Sequence, residues 1–224
     1  MDKIAELLQK FRPPAFPGSY FISFEGIEGA GKSKQIEKVF NYLEKQKFRV
    51  LMLREPGGTI YGEKLRQAIL QTKTPLHPLA EAYLFASSRI QLLNEVILKE
   101  LGTPGTVIVC DRYMDSSLAY QGFARGLGID NILGIHGFFP LNLLPHVTFF
   151  IDISLKTSRE RQKARNASKD YFESQGDDFY LKLIEGYHRA AEIFPQRIHT
   201  IDGEKNEDDV FKQITTVLDQ LLLQ

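Results

Sequence analysis

The sequence predicts a three-layer α/β/α domain built around a five-stranded parallel sheet, and three observations carry that prediction. Short apolar runs rich in β-branched and aromatic residues alternate with longer segments of three- and four-residue apolar spacing. That alternation is the order of a parallel sheet covered by helices on both faces. A glycine-rich turn, Gly26-Ile27-Glu28-Gly29-Ala30-Gly31-Lys32-Ser33, separates the first apolar run from the first helical segment. The chain has 224 residues, 43% apolar and 25% charged, enough for one domain with a sizeable core.

The elements follow in order. Ile4, Leu7, Leu8 and Phe11 predict a short amphipathic helix within residues 1–12, and Pro13, Pro14 and Pro17 end it. Residues 1–19 are read as an appendage and 20–224 as one domain without an internal linker. Tyr20–Phe24 reads as the first strand, and the helix after Lys32 carries Ile36, Val39, Phe40 and Leu43 on one face. Phe48–Leu53 is the second strand. Arg54-Glu55-Pro56-Gly57-Gly58-Thr59 is a loop of special backbone, Gly62–Leu70 is helical, and Leu79–Leu101 is one long helix bounded by Gly102 and Pro104. Val107–Cys110 is the third strand, delivering Asp111. Ser116–Ala124 and Asn131–Phe138 read as helices, and Val147–Ile151 as the fourth strand. Leu155–Arg165 and Phe179–Phe194 are helical, around a polar stretch from Asn166 to Asp178. Arg197–Ile201 is the fifth strand, and Asp208–Leu223 closes the chain as a helix.

Composition narrows the function classes. Lys plus Arg number 28 and Asp plus Glu 28, so bulk charge pulls toward neither nucleic acid nor membrane. The lone Cys110 excludes an internal disulfide and fits a reducing compartment. Its apolar run makes it a core residue. The five histidines are scattered, without zinc spacing. Charges in the first dozen residues do not suit a signal peptide, and no 18-residue apolar run is present. The expectation is a cytoplasmic protein.

The glycine-rich turn carries the chemistry. Gly, four residues, then Gly-Lys-Ser, set between a strand and a helix, is the context of a phosphate-binding P-loop. Its backbone N–H groups, from Gly26 through Ser33, converge on phosphate where no Cβ obstructs them, and the helix N-terminus adds partial positive charge. Lys32 would reach the outer phosphates of a nucleotide, and Ser33 would place its hydroxyl on Mg²⁺. Asp111 at a strand end would hold the same ion through water. Arg112 has the wrong sign for a metal and the right geometry for a second phosphate. Ser117, Tyr120 and Gln121 are spaced to share a helix face, as are Phe85 and Arg89, an aromatic plate with a donor above it. Glu28, a carboxylate inside a phosphate cradle, would turn outward to a sugar hydroxyl.

At four stretches the chain resembles bacterial thymidylate kinase: Phe24–Ser33, Arg54–Thr59, Phe85–Arg89 and Asp111–Gly122. The resemblance runs from about Tyr20 to the last helix and implies the P-loop NTPase fold with a mobile lid, here about residues 158–178. It implies transfer of a phosphoryl group from Mg·ATP to dTMP, giving dTDP. By the same resemblance Phe85 would stack on thymine, Arg89 would donate to a thymine carbonyl, and Ser117 and Gln121 would face base or sugar. Tyr120 would occupy the place of a ribose 2′-hydroxyl, Glu28 would meet the 3′-hydroxyl, and Arg112 would hold the acceptor phosphate with Arg54 and Arg66 helping. Glu55 would contribute to the same site, with a cis bond to Pro56. The P-loop offers Gly29 and Ala30 and no arginine, so the catalytic arginine falls to the lid, where Arg161 and Arg165 share a helix face. The lid departs from the family pattern at Asp170-Tyr171-Phe172-Glu173, with Tyr171 in place of an arginine. The resemblance also implies a homodimer. Alternatives are another nucleoside-monophosphate kinase or a catalytically weak relative that binds nucleotide.

Overall fold

The computed structural model describes residues 3–72, 74–165 and 171–223. Asp170 of the lid motif, with the rest of the 166–170 part of the expected lid, lies outside the described residues.

Five strands form one parallel sheet: β1 (Tyr20–Glu25), β2 (Arg49–Arg54), β3 (Thr106–Asp111), β4 (Val147–Asp152) and β5 (Ile198–Asp202), in the order β2-β3-β1-β4-β5. The central strands are buried on both faces, which is why they read as continuous apolar runs without alternation. Register sets Phe24 beside Asp111 and Glu25 beside Phe150, so every strand ends at the same rim. The chain reverses direction across the sheet between β3 and β4, on either side of β1, and the crevice beyond these strand ends is where such sheets take ligands.

The helices are α1 (Lys3–Leu8), α2 (Lys32–Lys45), α3 (Ile60–Leu70), α4 (Pro78–Leu92), α5 (Leu98–Leu101), α6 (Met114–Ser117), α7 (Ile129–His136), α8 (Leu155–Arg165), α9 (Asp177–Ile193) and α10 (Glu207–Leu222). Three boundaries correct the sequence reading. The first helix is only six residues long and stops before Phe11, whose ring meets Phe194 edge-on at 6.2 Å. The expected helix 79–101 is interrupted by a wide π turn at Leu93–Ile97. There Asn94 Nδ2 donates to the carbonyl of Ile90 at 3.0 Å, a side chain competing for the helical ladder. The expected helix 116–124 is α6 followed by a π segment, Leu118–Ala124, so Ser117 stands on an α turn and Tyr120 and Gln121 on the wider π turn.

The core lies along β1, β3 and β4, with Phe21, Phe24, Ile108, Val109, Cys110 and Phe149 fully buried. A buried ion pair lies within it. Arg197 grips Asp115 through two nitrogens at 2.6 and 2.8 Å and also donates to Thr148 at 2.9 Å, whose hydroxyl is 2.7 Å from Ser23. Charges so deep persist only when paired and hydrogen-bonded. Among the described residues no helix is long and apolar enough to cross a membrane.

Candidate active site

The P-loop links β1 to α2 at the sheet rim. Gly26 has φ 136°, and a Cβ there would lie 2.5 Å from the carbonyl oxygen of Ile151. Only glycine lets the loop leave β1 so close to β4. Gly31, at φ 94°, caps α2, and Lys32 curls back so that Nζ donates to the carbonyls of Gly26 at 2.9 Å and Ile27 at 3.5 Å. Ser33, next along α2, is exposed at the mouth of the loop. Ile27 and Ala30 point into the core and hold the loop down.

Two side chains of α8 meet the loop. Ser158 on α8 donates to the carbonyl of Glu28 at 2.6 Å. Arg161 spans from the carbonyl of Gly29 to that of Gly203, 3.1 Å each, joining the P-loop to the loop after β5. Arg165, one turn further, pairs with Glu173. The two arginines therefore do different things: Arg161 lies against the glycine-rich loop and Arg165 against Glu173. Arg159 is pinned to Asp177 and lies over the Tyr180 ring at 4.1 Å.

The second half of the site hangs on Arg112, a non-glycine residue at φ 71°. Such a conformation carries strain and needs support. Glu25 supplies it, accepting from Tyr113 N at 2.7 Å, Ser116 N at 3.3 Å and Ser116 Oγ at 2.6 Å, with Tyr187 OH at 3.1 Å. Burial and the neighbouring Asp115 raise the Glu25 carboxyl to about 7. Held this way, Arg112 donates to Glu28 at 2.8 Å and to Tyr187 OH at 2.8 Å, and Tyr120 OH donates to the same Glu28 oxygen at 2.6 Å. Burial works against the charge on Glu28, but Arg112 and Lys32 outweigh it and keep the carboxyl below its ordinary value. The second Glu28 oxygen is buried and has no hydrogen-bond partner among the described residues.

A cavity of about 440 Å³, counted out to its solvent opening, runs away from this cluster. Glu28, Arg112 and Ser116 form its charged end, Phe85, Leu70 and Phe172 its apolar end, and Glu55, Pro56, Arg66, Tyr120 and Gln121 the walls. Phe172, just before α9, faces Phe85 at 6.1 Å and Tyr120 at 5.1 Å. Arg66 donates to the carbonyl of Pro56 at 3.1 Å, and the Glu55-Pro56 bond is cis.

Three residues expected in the site are absent from the cavity wall. Arg54 is exposed and paired with Glu63 at 3.1 Å. Arg89 is buried behind the wall. It binds Glu55 at 2.6 Å, donates to Ser117 Oγ at 3.1 Å, contacts His136 Nε2 at 2.6 Å and lies over the Tyr113 ring at 5.0 Å. Ser117 thus serves Arg89. His136 gives its Nδ1 proton to the carbonyl of Ile132 at 2.9 Å, so Nε2 accepts from Arg89. Burial and the adjacent guanidinium lower His136 to about 3 and keep it neutral.

Asp111 meets the test for a hydrated cation. Its Oδ1 is buried and has no hydrogen-bond partner among the described residues, at a strand end beside the P-loop strand. No cluster of three or more metal-ligating side chains occurs among the described residues, so an ion here would depend on the nucleotide's own phosphates. Sequence reasoning missed Tyr187, Ser116, Phe172 and Leu70. Tyr187 and Leu70 lie outside any motif with chemistry attached, Phe172 stands in the quoted Asp170–Glu173 motif without a role of its own, and Ser116 stands within the quoted Asp111–Gly122 stretch.

The thymidylate kinase family model matches residues 24–214. A thymidylate kinase of Thermoanaerobacter is 42% identical over 202 residues, covering 90% of this chain and 98% of that protein. One from Geobacillus is 43% identical over 204 residues, covering 90% and 97%. The crystal structure of thymidylate kinase from Ehrlichia chaffeensis superposes with a TM-score of 0.70 at 28% identity, covering 91% of this chain and 99% of that one. With its P-loop, its Asp-Arg-Tyr turn and the cavity between them, the chain belongs to the thymidylate kinase family.

Proposed function

We propose that this chain transfers the γ-phosphoryl group of Mg·ATP to dTMP, giving dTDP and ADP. The observation that carries this is the two-ended cavity: an arginine and a carboxylate beside the P-loop, two phenylalanines at the far end. A nucleoside monophosphate fits that polarity with its phosphate at Arg112 and its base between Phe85 and Phe172. Tyr120, joined to Glu28 by a 2.6 Å bond, stands between the two ends, where the sugar would sit.

In this reading the bond from the γ-phosphorus to its bridging oxygen breaks as one forms to a dTMP phosphate oxygen. The acceptor phosphate, with a second pKa of about 6, is already largely ionised, so no side-chain base is required. Arg112 leaves Glu28 in part to hold that phosphate, and Glu28 turns to the sugar hydroxyl. Lys32 exchanges the Gly26 and Ile27 carbonyls for phosphate oxygens. Arg161, already at the Gly29 carbonyl, is the lid arginine placed to neutralise charge on the transferring group, and Arg165 steadies the lid through Glu173. Ser33 and Asp111 would hold Mg²⁺, which when bound offsets phosphate charge. Arg89 acts on the base indirectly, through Glu55.

Residues 1–19 are proposed as an appendage to a single domain, 20–224, with a lid at about 158–178. A second copy is proposed to cover the exposed Leu79, Tyr83 and Ile90 of α4 and the exposed Tyr61 of α3, a stripe that light scattering tests directly. A cytoplasmic location, without nucleic-acid or membrane partners, accords with the balanced charge.

The test is ADP release from Mg·ATP with dTMP, dUMP, UMP, CMP and AMP as separate acceptors, with Lys32→Ala as control. Turnover led by dTMP and lost in the variant is expected. A different leading acceptor would overturn the base pocket, and no turnover would overturn the activity.

A further inference from the structure

Behind the wall of the cavity lies a buried acid that the phosphoryl transfer does not use. Glu81, in the first turn of α4, is fully buried. One of its oxygens accepts from Gln121 Nε2 at 2.7 Å, and the other lies 3.5 Å from Arg125 Nε. Gln121 lines the cavity, while Glu81 and Arg125 do not. Arg125, just past the 118–124 segment, donates to Gln175 Oε1 at 3.2 Å. Its guanidinium also lies over the rings of Phe179 at 4.7 Å, Tyr171 at 5.3 Å and Phe172 at 5.9 Å.

The chemistry of these groups fixes an orientation. An ionised carboxylate only accepts hydrogen bonds, so the amide of Gln121 must turn its NH₂ toward Glu81. Its carbonyl oxygen is then left to accept from a ligand in the cavity. Thymine and uracil carry a hydrogen on N3 and satisfy that oxygen. Cytosine carries a lone pair there and would set acceptor against acceptor. Burial pushes the Glu81 carboxyl upward, opposed by Gln121 and Arg125. Arg125 therefore favours the ionised form on which the orientation depends.

We propose that Glu81 is a specificity-determining positioning residue, which sets the Gln121 amide to select pyrimidines with an N3 hydrogen. Arg125 keeps Glu81 charged and ties it to the aromatic residues of the lid. The proposal rests on the acceptor reading above. Its signature is a ratio: kcat/KM for dTMP over that for dCMP.

In Glu81→Gln the neutral amide can offer either a donor or an acceptor, so Gln121 takes both orientations. The dTMP-to-dCMP ratio should fall by about tenfold or more, with dCMP gaining relative to dTMP. Arg125→Met, which keeps most of the volume and removes the charge, should lower the same ratio in the same direction. A ratio within about twofold of wild type, including equal loss on both acceptors as a merely structural role would give, overturns the proposal. If Glu81→Gln does not fold, Arg125→Met decides alone by the same criterion. Wild-type protein that does not prefer dTMP overturns the acceptor reading itself, and that arm is read before either variant.

Discussion

The donor and acceptor halves of the site are built from different materials. The P-loop is a backbone device: three glycines at positive φ, carbonyls that hold Lys32 in reserve, and a helix N-terminus behind them. The acceptor half is a side-chain device. Arg112, Glu28, Tyr120 and Tyr187 come from three separate elements and the P-loop, and each is held by the others. A backbone device is specified by a short run of sequence and tolerates distant change. A side-chain device depends on how β3, the 118–124 segment and α9 pack together.

The largest expected effect tests the donor half. Lys32→Ala should lower turnover with every acceptor by about 10²–10³-fold or more, while dTMP binding by calorimetry stays within a few-fold of wild type. Loss of dTMP binding in that variant would show that the two halves are not separable. Arg112→Ala strikes the other side. It leaves Glu28 buried without its cation and should raise KM for dTMP by about 10²-fold, with KM for ATP little changed.

Gly186→Ala sharpens the contrast from a distance. A Cβ there would lie 2.9 Å from Ala119 Cα and from Phe123 Cβ, forcing α9 away from the 118–124 segment. Overpacking of this kind costs about 1–3 kcal/mol, seen as a lowered Tm. Because Tyr187 is the next residue, KM for dTMP should rise while that for ATP holds. Equal changes in both would erase the distinction.

The smallest effect is in pH. Glu25 at about 7 binds its proton more tightly than the unfolded chain does at 4.5, so ionising it costs stability as pH rises between those values. His136 at about 3 binds its proton less tightly than the unfolded chain at 6.5, so stability falls as pH drops through that window. The two slopes oppose each other from about pH 4.5 to 6.5. Glu25→Gln removes one of them, and Tm should then climb more steeply with pH than in wild type. Parallel curves for the two proteins would sink the assignment.

Much of this was legible in the sequence, for physical reasons that differ by region. Buried parallel strands announce themselves as apolar runs, and the position of all five along the chain was readable, though not their order in the sheet. The P-loop was readable because its function sits in consecutive residues. Arg89 and Ser117 were misplaced because each turns to a buried partner, Arg89 to Glu55 and Ser117 to Arg89, pairings that no local spacing encodes. Tyr187 was invisible because its role comes from α9 crossing the 118–124 segment, a contact no local pattern encodes. Phe172 was named only as part of a lid motif, although it closes the acceptor cavity.

That phenylalanine has a mechanical consequence. The Phe85 and Phe172 rings lie 6.1 Å apart and are tilted by 56°. A flat base sandwiched between two rings needs about 7 Å, two carbon contact distances of about 3.5 Å. The slot is therefore thinner than what it is proposed to hold, and a seated base would wedge it open. Phe172 belongs to the same proposed lid as Arg161, whose guanidinium bridges the phosphate loop and Gly203. Filling one chamber would thus press on the door of the other.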